Sequence, residues 1–146
     1  MSLPNPFATD LTPGAPLPQS KQVITREMIW RYGEMVEGDR RNPLHYDQGV
    51  AVEAGYPDII AHGTLSLGFV SRSLAQALGA PWLTGSKISA KFIGAVFPGD
   101  EITVHGVLRE RVTEEPTTRL VFEYWCQNQH GQKVIVGKAT VLTQAE

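Results

Sequence analysis

The sequence predicts an α+β domain in which an antiparallel sheet wraps one long buried helix. Three observations carry that expectation. Residues Gly63 to Leu78 read GTLSLGFVSRSLAQAL, apolar or small nearly all round with Arg72 as the only charge, and a helix without a polar face belongs inside a domain. From Ile88 onward the apolar spacing changes to two, the period of strands with one buried face. The turn-forming groups Pro98-Gly99-Asp100, Thr113 to Thr117 and Asn128 to Gly131 then cut that region into a meander of about four long strands.

Composition narrows the class. The chain has 146 residues, enough for one domain that buries roughly two thirds of its unfolded surface. A net charge of −2 with scattered basic residues gives no field that would draw nucleic acid or an anionic membrane. No stretch approaches the ~20 apolar residues of a membrane span, and no charged segment leads into an apolar core at the N-terminus. The lone cysteine, Cys126, excludes an internal disulfide framework and suits a reducing compartment, so a cytoplasmic protein is expected.

Residues 1–20 carry Pro4, Pro6, Pro13, Pro16 and Pro18, half of the 10 prolines. Such a segment resists ladders and helix interiors and is expected to be an extended arm ahead of a domain at 21–146. A β-prone piece, Val23-Ile24-Thr25, leads into REMIWRYGEMVEG, where Met28, Ile29, Tyr32, Met35 and Val36 recur at helical spacing. Thr25 is the expected N-cap with Met28 at N3, and Glu37-Gly38 ends the helix. A short helix from Gln48 to Ala54 closes at Gly55. The buried helix then runs to Leu78 and is stopped by Gly79-Ala80-Pro81.

The chemistry is crowded between the first helix and the buried one. Asp39, the Asn42-Pro43 turn and His45 stand within a few residues, followed by the turn Gly55-Tyr56-Pro57-Asp58 and the helix start His62-Gly63. Asp39 and His45 suit a general acid/base pair that shares a water or a substrate proton. They equally suit a turn in which Asp39 and Asn42 satisfy loop backbone. The free N–H groups at Gly63 suit an oxyanion, or the glycine merely permits close packing. His45, His62, His105 and His130 show no ligand spacing and Cys126 is isolated, so no metal site is expected. Ser71, two turns into the buried helix, suits helix packing or the lining of a site.

Together these residues resemble the MaoC-like family of hot-dog-fold dehydratases and (R)-specific enoyl-thioester hydratases. The matching stretches are Gly38-Asp39, Asn42-Pro43-Leu44-His45, Ile60-Ala61-His62-Gly63 and the run from Lys91-Phe92 to Phe97-Pro98-Gly99-Asp100-Glu101. The similarity spans residues 20 to 142. It implies a hot-dog fold, a homodimer or higher homo-oligomer, and a substrate held as a thioester on coenzyme A or acyl carrier protein. No cofactor is implied, because the thioester itself acidifies the α-carbon.

The resemblance also assigns roles. Asp39 and His45 would handle the water and the α-proton, Asn42 would position them, and the Gly63 amide would bind the thioester oxygen. Arg40, Arg41, Tyr56, His62 and Ser71 complete the expected substrate contacts, the arginines facing carrier phosphates where Asp39 reaches the cleft. The family places one residue between its Asp and its Asn, whereas here Arg40 and Arg41 both intervene. Two geometries follow. A bulge at Gly38 returns Asp39 to the cleft, or Arg40 takes the acid's place. The second leaves a subunit that binds acyl thioesters without turning them over; thioester hydrolysis is a third outcome on the same fold.

Overall fold

A computed structural model describes residues 11–144. Five antiparallel strands form one sheet: β1 (Ser20–Val23), β2 (Ser86–Phe92), β3 (Glu101–Glu114), β4 (Thr117–Gln127) and β5 (Lys133–Gln144), in the spatial order β1-β3-β4-β5-β2. The helices are α1 (Arg26–Glu37), α2 (Gln48–Glu53), α3 (Gly63–Leu78) and α4 (Ala80–Thr84), with a 3₁₀ turn at Pro43–His45. This is the expected α+β class, but the expected four-strand meander holds only for β3-β4-β5. Strand β2 crosses to the far edge and pairs with β5, and β1 takes the place beside β3. The short helix α4 is additional to the expected elements, and Pro81 sits in its first turn, where a missing N–H costs nothing.

The strands bury alternate residues, so one face of the sheet carries the core. Val104, Leu108, Leu120, Phe122, Tyr124, Cys126, Ile135, Ala139 and Val141 are buried with Val70, Leu74 and Leu78 of α3. Each fully buried side chain of this size contributes roughly 1.5–3 kcal/mol. Burial also pushes the Cys126 thiol up to about 12, which keeps it protonated and inert. Helix α3 lies on this face, and a stripe one residue wide, Thr64, Gly68, Arg72 and Gln76, stays exposed.

The second half of the N-terminal segment is not a free arm. Gly14 and Leu17 donate backbone hydrogen bonds to Leu108 and Gly106 of β3, each at 2.8 Å, and Leu108 donates back to Ala15 at 2.9 Å. Leu11 and Leu17 join the core. Pro16 stands opposite Val107 in this bridge and is tolerated because the hydrogen bonds are made by its neighbours Ala15 and Leu17. Gly106 makes it possible, since a Cβ there would fall 2.5 Å from Leu17 Cδ1. Residues 1–10 of the expected arm lie outside the described residues.

The opposite edge of the sheet is β2, and nearly all of it is exposed, including Ile88 and Phe92. It pairs with β5 from Ser86↔Val141 to Phe92↔Ile135, leaving its other side open.

Candidate active site

Three elements bring the chemical groups to one end of α3. Helix α1 is capped as expected, the Thr25 side chain accepting from Met28 N at 3.1 Å. It ends at Glu37, and Gly38 turns the chain with φ 55°, a conformation that glycine adopts without steric cost. Asn42 then caps the 3₁₀ turn, its side chain accepting from Leu44 N at 3.1 Å, with Pro43 preset for the first position. The turn presents His45. Downstream, the Arg26–Asp58 ion pair at 2.6 Å ties the Gly55–Asp58 turn to the start of α1. Ile60 N donates to Leu44 O at 3.0 Å and Ala61 N to Val96 O at 2.8 Å, which sets His62 at the N-cap of α3.

His45 Nδ1 lies 2.7 Å from Ile60 O. A carbonyl only accepts, so Nδ1 carries the hydrogen and Nε2 is the free ring nitrogen. The His45 ring stacks on His62 with centroids 3.7 Å apart and planes 23° from parallel. Tyr32 meets His62 edge-on at 5.0 Å, and its hydroxyl donates to Thr64 Oγ1 at 2.7 Å. His62 is only 7% exposed, and neither of its ring nitrogens makes a hydrogen bond among the described residues. Its nearest charged neighbour is Glu37, whose Oε2 lies 3.4 Å from Nε2 in poor hydrogen-bond alignment. The same oxygen accepts from Asn42 N at 3.2 Å.

Burial pushes the His62 pKa down, and the neighbouring His45 pushes the same way, with Glu37 opposing both only in part. For Glu37, burial works against ionisation but is outweighed by His62, by the Asn42 N–H and by the two imidazole charges. The carboxyl therefore sits below its ordinary range and is ionised at neutral pH.

One ring nitrogen from each histidine and one Glu37 oxygen lie within 4.8 Å of one another. The chain therefore gathers a cluster that sequence spacing did not indicate. It suits a metal poorly. Stacked rings hold their lone pairs side by side, whereas a tetrahedral site needs them to converge on one point about 2.0–2.1 Å away.

A cleft of about 420 Å³ opens beside the cluster, lined by His45, Ile60, Ala61, His62, Gly63, Thr64, Ser66, Phe92, Gly94, Val96 and Ile135. Helix α3 starts without a side-chain cap; Leu65 N donates to His62 O at 3.0 Å, whereas the Gly63 and Thr64 N–H groups have no protein partner among the described residues. Phe92 covers Gly63 closely enough that a Cβ there would lie 2.5 Å from its Cδ1. Ser66, one turn further along α3, is buried with no hydrogen-bond partner for its hydroxyl among the described residues. An equally large concavity of about 430 Å³ lies along β2, β4 and β5, lined in part by Lys91, Glu123, Trp125, Lys133 and Lys138. It holds none of the buried unpartnered polar groups, and so the chemistry is assigned to the first cleft.

The structure brings together His45, His62 and Gly63 of the expected residues. Asn42 holds the turn that presents His45. Asp39 is exposed and stands outside the cluster, and Arg40 and Arg41 are exposed as well. Neither expected loop geometry is therefore the observed one: Gly38 does absorb the turn, but the carboxylate it leaves near His45 is Glu37. Arg41 is tied back, its Nε donating to Gly38 O at 3.2 Å and its guanidinium 3.8 Å from Glu34. Tyr56 packs toward Phe97 with centroids 6.5 Å apart and does not line the cleft. Ser71 accepts from Trp82 Nε1 at 2.9 Å, a contact that ties α3 to α4.

Sequence reasoning missed Glu37 and Ser66. A signal existed for the first. An acid on the last residue of a helix opposes the helix dipole, and such local inconsistencies mark functional positions. Ser66 carried none, because a serine on an apolar helix reads as a packing residue.

Comparison with known proteins bears on this geometry. Residues 8–121 match the MaoC like domain family. The chain is 34% identical over 104 residues to an (R)-specific enoyl-CoA hydratase of Rhodospirillum rubrum, covering 71% of this chain and 70% of that one. It is 38% identical over 69 residues to an enoyl-CoA hydratase of Mycobacterium tuberculosis, covering 47% of this chain but only 24% of that longer protein. Among solved structures, an (R)-hydratase from A. caviae involved in PHA biosynthesis superposes with a TM-score of 0.77 at 25% identity, over 92% of this chain and 98% of that one.

Proposed function

Because the chain belongs to the MaoC-like domain family, we propose that it is a hydratase/dehydratase interconverting enoyl and 3-hydroxyacyl thioesters on coenzyme A or an acyl carrier protein. The observation that carries this reading is the meeting of the free His45 Nε2 and the uncapped start of α3 at Gly63 on one cleft. In hydration, the thioester oxygen accepts from the Gly63 N–H, which stabilises the enolate that forms as water adds to the β-carbon. His45 takes the proton that water loses and delivers it to the α-carbon. Dehydration is the same path reversed. The thioester acidifies the α-carbon, so the chemistry requires no cofactor.

The working assembly is a homodimer. Strand β2 offers an unpaired backbone edge with Ile88 and Phe92 exposed, and such an edge is a pairing hazard unless a partner covers it. A second copy joined there would also wall the cleft on the Phe92 side.

Incubation of the purified chain with crotonyl-CoA tests the activity. Loss of the conjugated enoyl absorbance with appearance of the 3-hydroxyacyl thioester is expected, and no turnover by a folded dimer overturns it. The exposure of Asp39 favours a second reading, an acyl-thioester-binding subunit without catalysis. Saturable binding without turnover is the outcome that selects it.

A further inference from the structure

We propose that Glu37 is the carboxylate of this site, a positioning residue that holds His62 beneath His45 and offsets the positive charge His45 gains when it accepts a proton. The inference rests on the hydratase reading of the cleft and deepens it by naming a residue outside the family-like motif.

Four observations carry it. Glu37 Oε2 is fixed by the Asn42 N–H at 3.2 Å, so the oxygen is placed by the same turn that presents His45. That oxygen lies 3.4 Å from His62 Nε2 and, with one nitrogen of each imidazole, falls inside a 4.8 Å cluster. His62 is buried, has no other ion-pair partner among the described residues and stacks directly on His45. The backbone of α1 is also drawn close here: a Cβ on Gly33 would meet His62 Cε1 at 3.4 Å and Glu37 Oε2 at 3.7 Å. Asp39 shares none of these contacts.

The charged and titratable surroundings leave Glu37 as the group able to do this. His62 on α3 and His45 on the 3₁₀ turn face it, and Tyr32 of α1 packs on the far edge of His62. Arg41 is engaged with Glu34 and Gly38 on the solvent side. A carboxylate within reach of both rings lowers the energy of an imidazolium formed on either, and the stacked geometry lets one anion serve the pair. No proton needs to reach Glu37 itself.

The test compares Glu37→Gln, Glu37→Asp and Asp39→Asn in the full chain, reading the pH profile of kcat and KM with crotonyl-CoA alongside the His62 titration by NMR. Glu37→Gln is expected to lower kcat by about 10²-fold, the lower end of the worth of a positioned acid/base system. KM should change little, the His62 midpoint should fall, and Glu37→Asp should recover part of the rate. Unchanged kcat and an unchanged His62 midpoint in folded Glu37→Gln overturn the proposal, as does a rate loss confined to Asp39→Asn. If the wild-type chain hydrates no enoyl thioester, the functional reading falls by itself. The His62 midpoint then decides alone, a fall in Glu37→Gln supporting the proposal and no change overturning it.

Discussion

His45 and His62, separated in the chain by a helix and a turn, stack with ring centroids 3.7 Å apart. Two imidazoles at that distance cannot both be protonated cheaply, and burial already disfavours the charged form of His62. Burial and the neighbouring ring thus both disfavour a charge on His62, while the free nitrogen of His45 belongs to the cleft wall.

His45→Ala should accordingly lower crotonyl-CoA turnover by about 10²–10⁴-fold. The ring is only half-buried at the edge of a short turn, and the thermal midpoint should move little. Steady-state rates and a melt on the same sample check both halves; a full rate in the folded variant counts against the assignment.

Acid should destabilise the protein in two stages. The His62 pKa in the folded state lies below its ordinary 6.5. The unfolded chain therefore binds more protons below that pH, and stability falls as the pH drops. Glu37, held below its ordinary 4.5, contributes stability present above that value and lost as the pH falls through its folded pKa. Chemical denaturation from about pH 7.5 to about pH 5.5 should show the first stage. His62→Gln should flatten it, with a residual slope from His105, whose pKa burial also lowers.

Ser66→Ala is expected to separate stability from activity. The Ser66 hydroxyl is buried without a partner, and an orphaned polar group costs about 1–3 kcal/mol. Its removal should leave the melt unchanged or raise it. If the hydroxyl awaits a substrate oxygen, KM should rise, and an unchanged KM would show that it does not.

Gly63→Ala should place a methyl group 2.5 Å from Phe92 Cδ1. Phe92 is 51% exposed and its ring is free to swing, so the cost should be local: a higher KM with a nearly unchanged melt. Recovery of KM in Gly63→Ala/Phe92→Ala would show the two residues coupled. Additive losses would show that they are not.

Ile88→Glu should convert a dimer to a monomer by placing charge on the open strand β2. Light scattering at micromolar concentration reads the result. A monomeric wild type would remove the basis for the proposed edge pairing.

Several features of this protein are legible in the residues alone. The bounds of α3 follow from an apolar run closed by Gly79, the Thr25 cap from its side-chain chemistry, and the strand faces from strict alternation through Leu120, Phe122, Tyr124 and Cys126. These are local rules, set by period, capping and turn residues. The pairing of residues 11–17 with β3 was not legible, because prolines argue against a ladder locally while Gly106 opens the space for Leu17 from far along the chain. Nor was the identity of the carboxylate. Adjacency in sequence pointed to Asp39, but the turn at Gly38 directs that side chain outward, and the end of α1 delivers Glu37 to the imidazoles instead. Which acid meets a histidine depends on the directions in which a helix end and a tight turn point their side chains. Only packing of α1 against the start of α3 decided that.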